Sequence, residues 1–294
     1  MPMKKTDFIF KLDSLSAEVN TALDKLFGEE CKTELFNSMR YSLSAGGKRI
    51  RPVLLLSFAE AAGLNTEDAM DFACAIELIH TYSLIHDDLP CMDDDDLRRG
   101  RPSNHIVYGY AGALLAGDAL LNAAFELMLN CKKVSAENAM AAAGYIGTTS
   151  GRTGMILGQS LDLANAAVSV EERIHLSALK TGAIIRGACV GGLLLAGIRD
   201  EKLLSAAEKY AENLGLAFQM RDDILDVTAT EEELGKPIGS DSEEDKTTFV
   251  ALLGIEKTEK QINMLTEEAI AAVSDIDKDG FLTELVLSLA NRKK

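Results

Sequence analysis

Two long apolar stripes with helical spacing each end in a cluster of aspartates, and this pattern restricts the fold more than any other feature of the chain. The first stripe has steps of three or four residues: Ala73, Ile76, His80, Ser83 and Asp87. The second has steps of four: Tyr210, Leu214, Phe218, Asp222 and Asp226. Residues with this spacing lie on one face of an α-helix. Two helices therefore carry carboxylates at the ends of otherwise apolar faces.

The rest of the chain follows the same helical pattern. Of its 294 residues, 47% are hydrophobic and only 5 are prolines, while sustained alternation of apolar and polar residues is scarce. No linker rich in serine, glycine or proline divides the chain. We therefore expect one domain, residues 1–294, in the all-α class, built as an antiparallel helical bundle around a central cavity.

Charge and hydropathy exclude several classes of partner. The formal net charge is −16, and no long basic stripe is present, so we expect no nucleic-acid partner. The apolar runs Ala111–Gly117 and Gly191–Gly197 are shorter than the ~18 residues of a membrane span, so we expect no stable membrane insertion. MPMKKTDFIF is not typical of a signal peptide. Five scattered cysteines indicate neither a disulfide framework nor a zinc site. These features favour a cytoplasmic enzyme.

The first aspartate cluster contains a turn. Pro90 ends the helix after Asp88, and the loop that follows is expected to bring Asp93 back near Asp87. In the second cluster, Asp222, Asp223 and Asp226 share a neighbourhood at one helix end. A third candidate helix carries Gln159 and Asp162 three residues apart and therefore on one face.

Carboxylates grouped in this way suit magnesium, a hard cation that binds oxygen ligands, and they do not suit zinc. A solvated acidic surface is the alternative reading of such a run. Cations lie nearby in the sequence: Arg98 and Arg99 follow the first cluster, and the segment Gly46–Pro52 contains three more. That segment lacks the spacing of a P-loop, and taken alone it also fits an exposed basic turn. Gly182, inside a helical run, marks a possible kink that exposes carbonyl oxygens near Lys180.

Taken together, these motifs resemble a known family. They are GGKRIRP, IHTYSLIHDDLPCMDDDDLRRG, GQSLDL, LKTG and FQMRDDILDV, followed by LGKPIGSD and DKTT. In this order, from about Gly46 to Leu253, they are similar to the short-chain trans-isoprenyl diphosphate synthases, most of all to the bacterial farnesyl diphosphate synthases (geranyltranstransferases). The resemblance implies an isoprenoid-synthase helical bundle, a homodimer and three Mg²⁺ ions, which Mn²⁺ can replace.

The same resemblance implies a reaction. An allylic diphosphate, dimethylallyl or geranyl diphosphate, ionises, and its carbocation alkylates isopentenyl diphosphate. Proton loss completes the prenyl transfer. A bound cation at the leaving group and an apolar cavity that excludes water both fit this chemistry. No side chain needs to act as a nucleophile.

Residue roles follow from the motifs of the resemblance. The implied metal ligands are Asp87, Asp93 and Asp222, supported by Asp88, Asp162, Asp223 and Asp226. The implied substrate-binding residues are Lys48, Arg51, His80, Arg98, Arg99, Lys180, Thr181, Phe218, Gln219 and Lys236. Catalysis would depend on Asp87, Asp88, Asp93, Lys180, Thr181, Gln219 and Asp222. By its position alone, His80 is more typical of an ordinary core histidine, and only the resemblance favours a substrate-binding role.

The resemblance also implies that product length depends on the positions four and five residues before the first aspartate, here Ser83 and Tyr82. One helical turn rises about 5.4 Å, on the order of one isoprene unit, so the Tyr82 ring would stop growth early. This pattern, together with Pro90-Cys91 inside the motif, favours a farnesyl product. Geranyl and geranylgeranyl diphosphate are the alternative products. Ser83 lies closer than Tyr82 to the Asp87 face, and other helices contribute to the floor of the product pocket.

Two segments near the site are expected to move over bound substrate. They are the glycine-containing acidic loop 231–248, with Lys236, and the basic tail Asn291–Lys294. The tail also fits a frayed terminus.

Asp275–Gly280 imitates the start of a calcium loop, but its twelfth position is Val286 rather than glutamate, so we expect a polar turn there.

Two departures from the family pattern and two alternative functions remain. Arg221 directly precedes the second aspartate cluster, and we expect it to point away from that cluster. Tyr110-Ala111 stands where an acidic residue is expected.

A non-catalytic isoprenoid-binding or regulatory subunit would lose one of the motifs. A terpene cyclase would not need the second set of cations, Lys48, Arg51 and Arg99.

Overall fold

The structure is a computed structural model that describes residues 3–28, 32–228 and 247–292 of the chain. The structure is 76% helical and contains almost no strand, so the predicted all-α class is confirmed. Lys236, Asp241 and Lys246 of the predicted closing loop lie outside the described residues, as do Lys293 and Lys294 of the basic tail.

In chain order, the described helices are α1 (Lys5–Leu26), α2 (Glu34–Leu43), α3 (Ile50–Ala61), α4 (Thr66–Asp87), α5 (Asn104–Asn130), α6 (Ala136–Ser150), α7 (Met155–Leu163), α8 (Val170–Ser177), α9 (Ala183–Leu195), α10 (Glu201–Thr228), α11 (Phe249–Leu253), α12 (Ile255–Ala272) and α13 (Phe281–Ala290). A π-helical turn, Ala178–Gly182, joins α8 to α9. Between α4 and α5, strands β1 (Leu97–Arg98) and β2 (Arg101–Pro102) pair antiparallel.

The centre of the bundle is formed by α3 and α9, which are apolar on nearly all sides and buried. Such helices are stable only inside a protein. They pack closely because Gly192 has no side chain: a Cβ there would lie 2.5 Å from the carbonyl oxygen of Leu55. Around this pair, α4, α6 and α10 also contact α9. The two helices that end in aspartates are thereby held on opposite sides of the same core.

Two helical stretches are long and apolar enough to cross a membrane by length and composition alone, which differs from the sequence expectation. The expectation considered uninterrupted apolar runs, whereas these stretches contain isolated polar residues. Val170–Leu195 is 72% buried within the protein, as expected of a core segment, whereas Asn104–Asn130 is only 33% buried. The exposed apolar face of α5 therefore needs a separate explanation.

The acidic turn Asp275–Gly280 starts the last helix. The carboxylate of Asp277 accepts hydrogen bonds from the backbone amides of Leu282 (3.0 Å) and Thr283 (2.8 Å). Asp279 pairs with Lys11 of α1 at 2.9 Å. These carboxylates thus cap α13 and attach it to α1.

The turn between α2 and α3 contains a buried ion pair that the sequence did not indicate. Arg49 has a φ of 48°, and its side chain turns into the core, where Nη1 lies 2.5 Å from Oε1 of Glu77 with both side chains 3% exposed. Arg49 also donates to the carbonyl of Leu43 and to Asn20. This arrangement holds the start of α3 against α4.

We predict that Glu77→Gln destabilises the fold by roughly 3–5 kcal/mol, because it leaves the buried Arg49 charge without its counter-ion. The matched control is Asp275→Asn, which breaks the exposed pair with Lys202 (82% and 69% exposed side chains) and should cost about 1 kcal/mol or less. Urea unfolding measures both. If both variants lowered the free energy of unfolding by the same small amount, the Arg49–Glu77 pair would not stabilise the fold.

Candidate active site

At the end of α4 the chain folds back on itself. The backbone amide of Asp93 donates to the carbonyl of Asp87 at 2.9 Å, and those of Met92 and Asp94 donate to Leu89 at 2.8 and 3.2 Å. Asp93 is therefore brought beside Asp87. Burial, together with the negative charge of Asp93, raises the pKa of Asp87 to about 6, although Lys180 opposes the rise. A buried carboxylate next to another one is a place where a cation is favoured.

Asp88 points in a different direction from Asp87, because adjacent helical residues diverge by about 100°. Nε of Arg98 donates to its carboxylate at 2.8 Å, and the guanidinium also pairs with Asp95 at 3.0 Å. Burial raises the pKa of Asp88, while Arg98 opposes this. The structure thus places two predicted site residues, Asp88 and Arg98, in contact with each other.

The second aspartate cluster is divided in a similar way. Asp223 is buried and accepts hydrogen bonds from Gln219 (3.1 Å) and from the backbone amide of Phe249 (2.7 Å). Asp226 is also buried. Asp222 instead is partly exposed and is paired with Arg292 of the tail. Asp223 therefore attaches α10 to α11, while Asp222 faces the tail.

Arg292 is held by three groups of α10. Besides Asp222, its guanidinium donates to the carbonyl of Phe218 at 3.3 Å and lies 3.8 Å above the centre of the Phe218 ring. Arg221, in contrast, points away from Asp222, as expected: it donates to the carbonyl of Ala290 at 2.6 Å and to Glu259 at 2.8 Å. The direction follows from helical geometry, but the burial of Arg221 against α12 and α13 was not foreseen.

Predicted basic residues from three parts of the chain come together beside α10. Nη1 of Arg51 lies 3.2 Å from Nε2 of His80. Burial and the Arg51 charge lower the pKa of His80 well below its usual value, so a neutral imidazole accepts the Arg51 hydrogen bond. Burial also lowers the pKa of Lys48, with a further contribution from Arg292. The loop before α3 is therefore close to the tail and to Asp222.

Arg99 lies over the glycine pair before α3. Its guanidinium donates to the carbonyl of Gly46, and a Cβ on Gly47 would lie only 2.8 Å from its Nη1. Gly47 also has a φ of 134°, a conformation that L-residues rarely adopt. Gly47 of GGKRIRP thus makes room for Arg99. The third cation of this motif, Arg49, is the one that faces the core.

The predicted kink at Lys180 is a π-helical turn, a feature found often at functional sites. Nζ of Lys180 lies 2.6 Å from Oδ2 of Asp162, and Arg173 lies 3.6 Å from the other oxygen. Oγ1 of Thr181 donates to Oε1 of Gln219 at 3.3 Å. A Cβ on Gly158 would overlap with the Lys180 backbone. Gly158 therefore lets α7 approach closely enough for Asp162 to reach Lys180.

An elongated cavity of about 780 Å³ extends below Asp87, between α4, α5, α7 and α9. Lys180, Thr181 and His80 lie along its upper part, and both residues predicted to set product length, Tyr82 and Ser83, contact it. Its remaining walls are mainly apolar, with Leu121, Met155, Ile156, Leu163 and Ile184 among them. The site thus combines an apolar chamber with a strongly charged mouth.

Two residues at this site carried no signal of their own in the sequence, and the environment of a third, Gln159, was not foreseen. Arg173 contacts Asp162, and His86 lines the cavity. The amide of Gln159 is buried at the cavity wall, with no hydrogen-bond partner in residues 3–28, 32–228 and 247–292. Its helical position beside Asp162 indicated a shared face but not this environment.

Comparison with known proteins places the whole arrangement in one family. Residues 32–279 match the polyprenyl synthetase family model. The chain is 46% identical over 255 residues to a geranylgeranyl diphosphate synthase of Cyanophora paradoxa, covering 85% of each chain. It is 40% identical over 284 residues to a farnesyl diphosphate synthase of Geobacillus stearothermophilus, covering 94% of this chain and 95% of that one.

Among solved structures, a Helicobacter pylori geranyltransferase complexed with magnesium and isoprenyl diphosphate matches with a TM-score of 0.80 and 33% identity over 96% of both chains. The fold, the order of the motifs and the extent of these matches lead to one conclusion. The chain belongs to the polyprenyl synthetase family and is a prenyltransferase of the short-chain type.

Proposed function

We propose that this protein condenses an allylic diphosphate with isopentenyl diphosphate to form farnesyl diphosphate, as a single domain spanning residues 1–294 and in the cytoplasm. The observation that supports this most directly is the apolar cavity below Asp87, with two separate groups of cations at its mouth. One group surrounds Asp162 and Asp88, and the other surrounds His80. Two groups of cations fit two diphosphates.

Each group of cations has its own substrate. Lys180 and Arg98, with Lys236 from outside the described residues, bind the allylic diphosphate so that its hydrocarbon tail enters the cavity. Lys48, Arg51 and Arg99 bind the diphosphate of isopentenyl diphosphate, and neutral His80 orients Arg51. Guanidinium groups match phosphate oxygens in charge and geometry.

The reaction begins when the allylic C–O bond breaks and the diphosphate leaves. The side-chain oxygens of Thr181 and Gln219, which contact each other, stabilise the positive charge that develops on the allyl group. The apolar walls exclude water, which would otherwise capture the cation. A C–C bond to isopentenyl diphosphate then forms, and the released diphosphate accepts the proton that is lost.

The carboxylates suit Mg²⁺ by their chemistry. Asp87 at the end of α4, Asp93 in the turn that follows and Asp222 on α10 offer only oxygen ligands. Burial, together with the charge of Asp93, raises the pKa of Asp87, and a nearby cation would offset both effects. In the described residues, no three His, Cys, Asp or Glu side chains converge on one point. This fits ions that bind one or two carboxylates and complete their shells with water and phosphate. Three Mg²⁺ ions, replaceable by Mn²⁺, would neutralise the leaving diphosphate. The Helicobacter pylori structure contains magnesium.

The farnesyl product is supported by Tyr82, whose buried ring lies along the cavity one turn before His86. Geranylgeranyl and geranyl diphosphate remain the alternative products, since relatives named for farnesyl and for geranylgeranyl synthesis match at similar identity. The intact second group of cations favours a synthase over a terpene cyclase or a non-catalytic subunit.

We also propose that the protein is a homodimer formed through α5. The exposed α5 face consists of apolar side chains on both sides of a kink at Gly109, among them Ile106, Tyr110, Leu114 and Leu115, and Met140 of α6 is also exposed. Tyr110, where an acidic residue was expected, belongs to this face. An exposed apolar area of this kind is typical of an interface, and a second copy presents the same face for pairing.

The first prediction for this function concerns the product. With Mg²⁺, isopentenyl diphosphate and either dimethylallyl or geranyl diphosphate, we expect farnesyl diphosphate as the main product in chromatography and mass spectrometry. A twenty-carbon product would change the proposed chain length but not the proposed reaction. No elongation with either primer would contradict the synthase function, and cyclic hydrocarbon from geranyl diphosphate alone would indicate a cyclase.

The second prediction concerns the carboxylates. Asp87→Asn and Asp222→Asn should each lower kcat roughly 100-fold or more, because charge that develops on the leaving group is no longer neutralised. The control is Asp96→Asn, an exposed residue of the same acidic run, which should keep near-normal turnover. Steady-state kinetics at saturating Mg²⁺ measure all three. Normal rates in the first two variants would remove Asp87 and Asp222 from the site.

The third prediction concerns assembly. Leu115→Glu places a charge on the exposed α5 face and should shift the protein from dimer to monomer in sedimentation-velocity experiments. Met264→Glu on α12 is the control, since its side chain is similarly exposed (47% against 57% for Leu115). A monomeric unmodified protein, or a dimer that survives Leu115→Glu, would contradict the interface.

A further inference from the structure

His86 lies between the cavity and α5 and is clamped on both sides. Its Nε2 lies 3.0 Å from the carbonyl oxygen of Leu114, to which an Nε2–H donates. On its other side, the imidazole meets the ring of Tyr82 edge to face, with ring centres 5.7 Å apart and planes at 78°. Both rings line the cavity. His86 thus connects the wall formed by α5 to the residue expected to limit product length.

Gly117 of α5 provides the space for this imidazole. A Cβ at position 117 would overlap with Nε2, Cδ2 and Cε1 of His86. Gly117 lies within a regular helix, where glycine is unfavourable relative to alanine by about 1 kcal/mol. Room for the His86 ring is therefore the structural reason for glycine at this position.

Tyr82 has no hydrogen bond that fixes its ring. Its hydroxyl is buried and has no partner in the described part of the chain. Its ring is therefore held by packing, and the edge of His86 is the aromatic group against which it rests. If the imidazole moves, the Tyr82 ring loses that support.

We propose that His86 and Gly117 are a positioning pair that fixes the floor of the cavity at Tyr82 and thereby determines how long a prenyl chain the cavity accepts. This inference rests on the proposed prenyl-transfer function. Tyr82 and His86 are four residues apart on one face of α4, so their separation along the axis is about 5.4 Å. A displaced imidazole therefore changes the cavity depth on the scale of one isoprene unit.

Three variants that keep Tyr82 test the pair. Gly117→Ala should push the imidazole off α5 into the cavity and shorten the product. His86→Ala should remove the support of Tyr82, enlarge the cavity and lengthen the product. In the double variant the new methyl group occupies space that the imidazole has left, so the product distribution should return towards that of the unmodified protein. Such non-additivity is expected only of residues in contact.

The measured quantity is the ratio of products that differ by one isoprene unit, determined by mass spectrometry. Each single variant should change this ratio roughly tenfold or more, since one or a few methylene groups in an apolar pocket discriminate at that level. Gly144→Ala is the matched control, because a Cβ there meets nothing within 4 Å. A purely structural role would lower the melting temperature or rate but leave the ratio unchanged.

Binding separates failure of this inference from failure of the proposed function. Calorimetry with non-hydrolysable thiolodiphosphates that carry ten-, fifteen- and twenty-carbon chains reports the cavity depth without turnover. Gly117→Ala should weaken binding of the longer chains selectively, and His86→Ala should favour them. If the unmodified protein makes no product, the proposed reaction fails, while these affinities still decide the role of the pair. The proposed role of His86 and Gly117 would be contradicted if both single variants kept the product ratio and the chain-length affinities of the unmodified protein. It would also be contradicted if the unmodified protein bound none of the analogues.

Discussion

Carboxylates at the edge of an apolar chamber are the constraint on which the rest of this structure depends. Charged groups lose hydration when they are buried, and the loss is offset only by opposite charges or hydrogen bonds. Accordingly, Asp88 pairs with Arg98, Asp162 with Lys180, and Asp222 with Arg292. The partners come from the short strand β1, the π-helical turn and the tail. The surrounding connections are therefore shaped by the need to deliver cations to helix ends.

Helical geometry explains why each motif contains two adjacent aspartates. Adjacent positions of a helix point about 100° apart, so one carboxylate of each pair faces the mouth and the other faces protein. Asp223 illustrates the second case: it receives the backbone amide of Phe249 and attaches α10 to α11. Asp222 remains accessible at the mouth. In each motif we therefore assign the proposed cation binding to one neighbour, Asp87 or Asp222, while the other, Asp88 or Asp223, pairs with protein groups.

Sequence periodicity predicted the all-α class and the two helix ends, because both depend on local spacing. It also predicted the turn that returns Asp93 and the outward direction of Arg221 from Asp222. It did not reveal that Arg49 turns inward to Glu77 while Lys48 stays at the site, because that choice is made by a left-handed backbone and contacts distant in sequence. Nor did it reveal Gly117, whose importance depends on a ring from another helix.

The separation between mouth and floor explains why overall similarity does not decide the product. Relatives named for geranylgeranyl and farnesyl synthesis share 46% and 40% identity with this chain, and a charged mouth for diphosphate serves either reaction. In the proposed reaction, chain length depends on the few side chains below Asp87. Because α4 carries both Asp87 and Tyr82, changes on α4 risk disturbing the chemistry. In the proposed role of the pair, Gly117 on α5 acts on the floor through the His86 imidazole, so a change at Gly117 can alter the length of the product while the mouth stays intact.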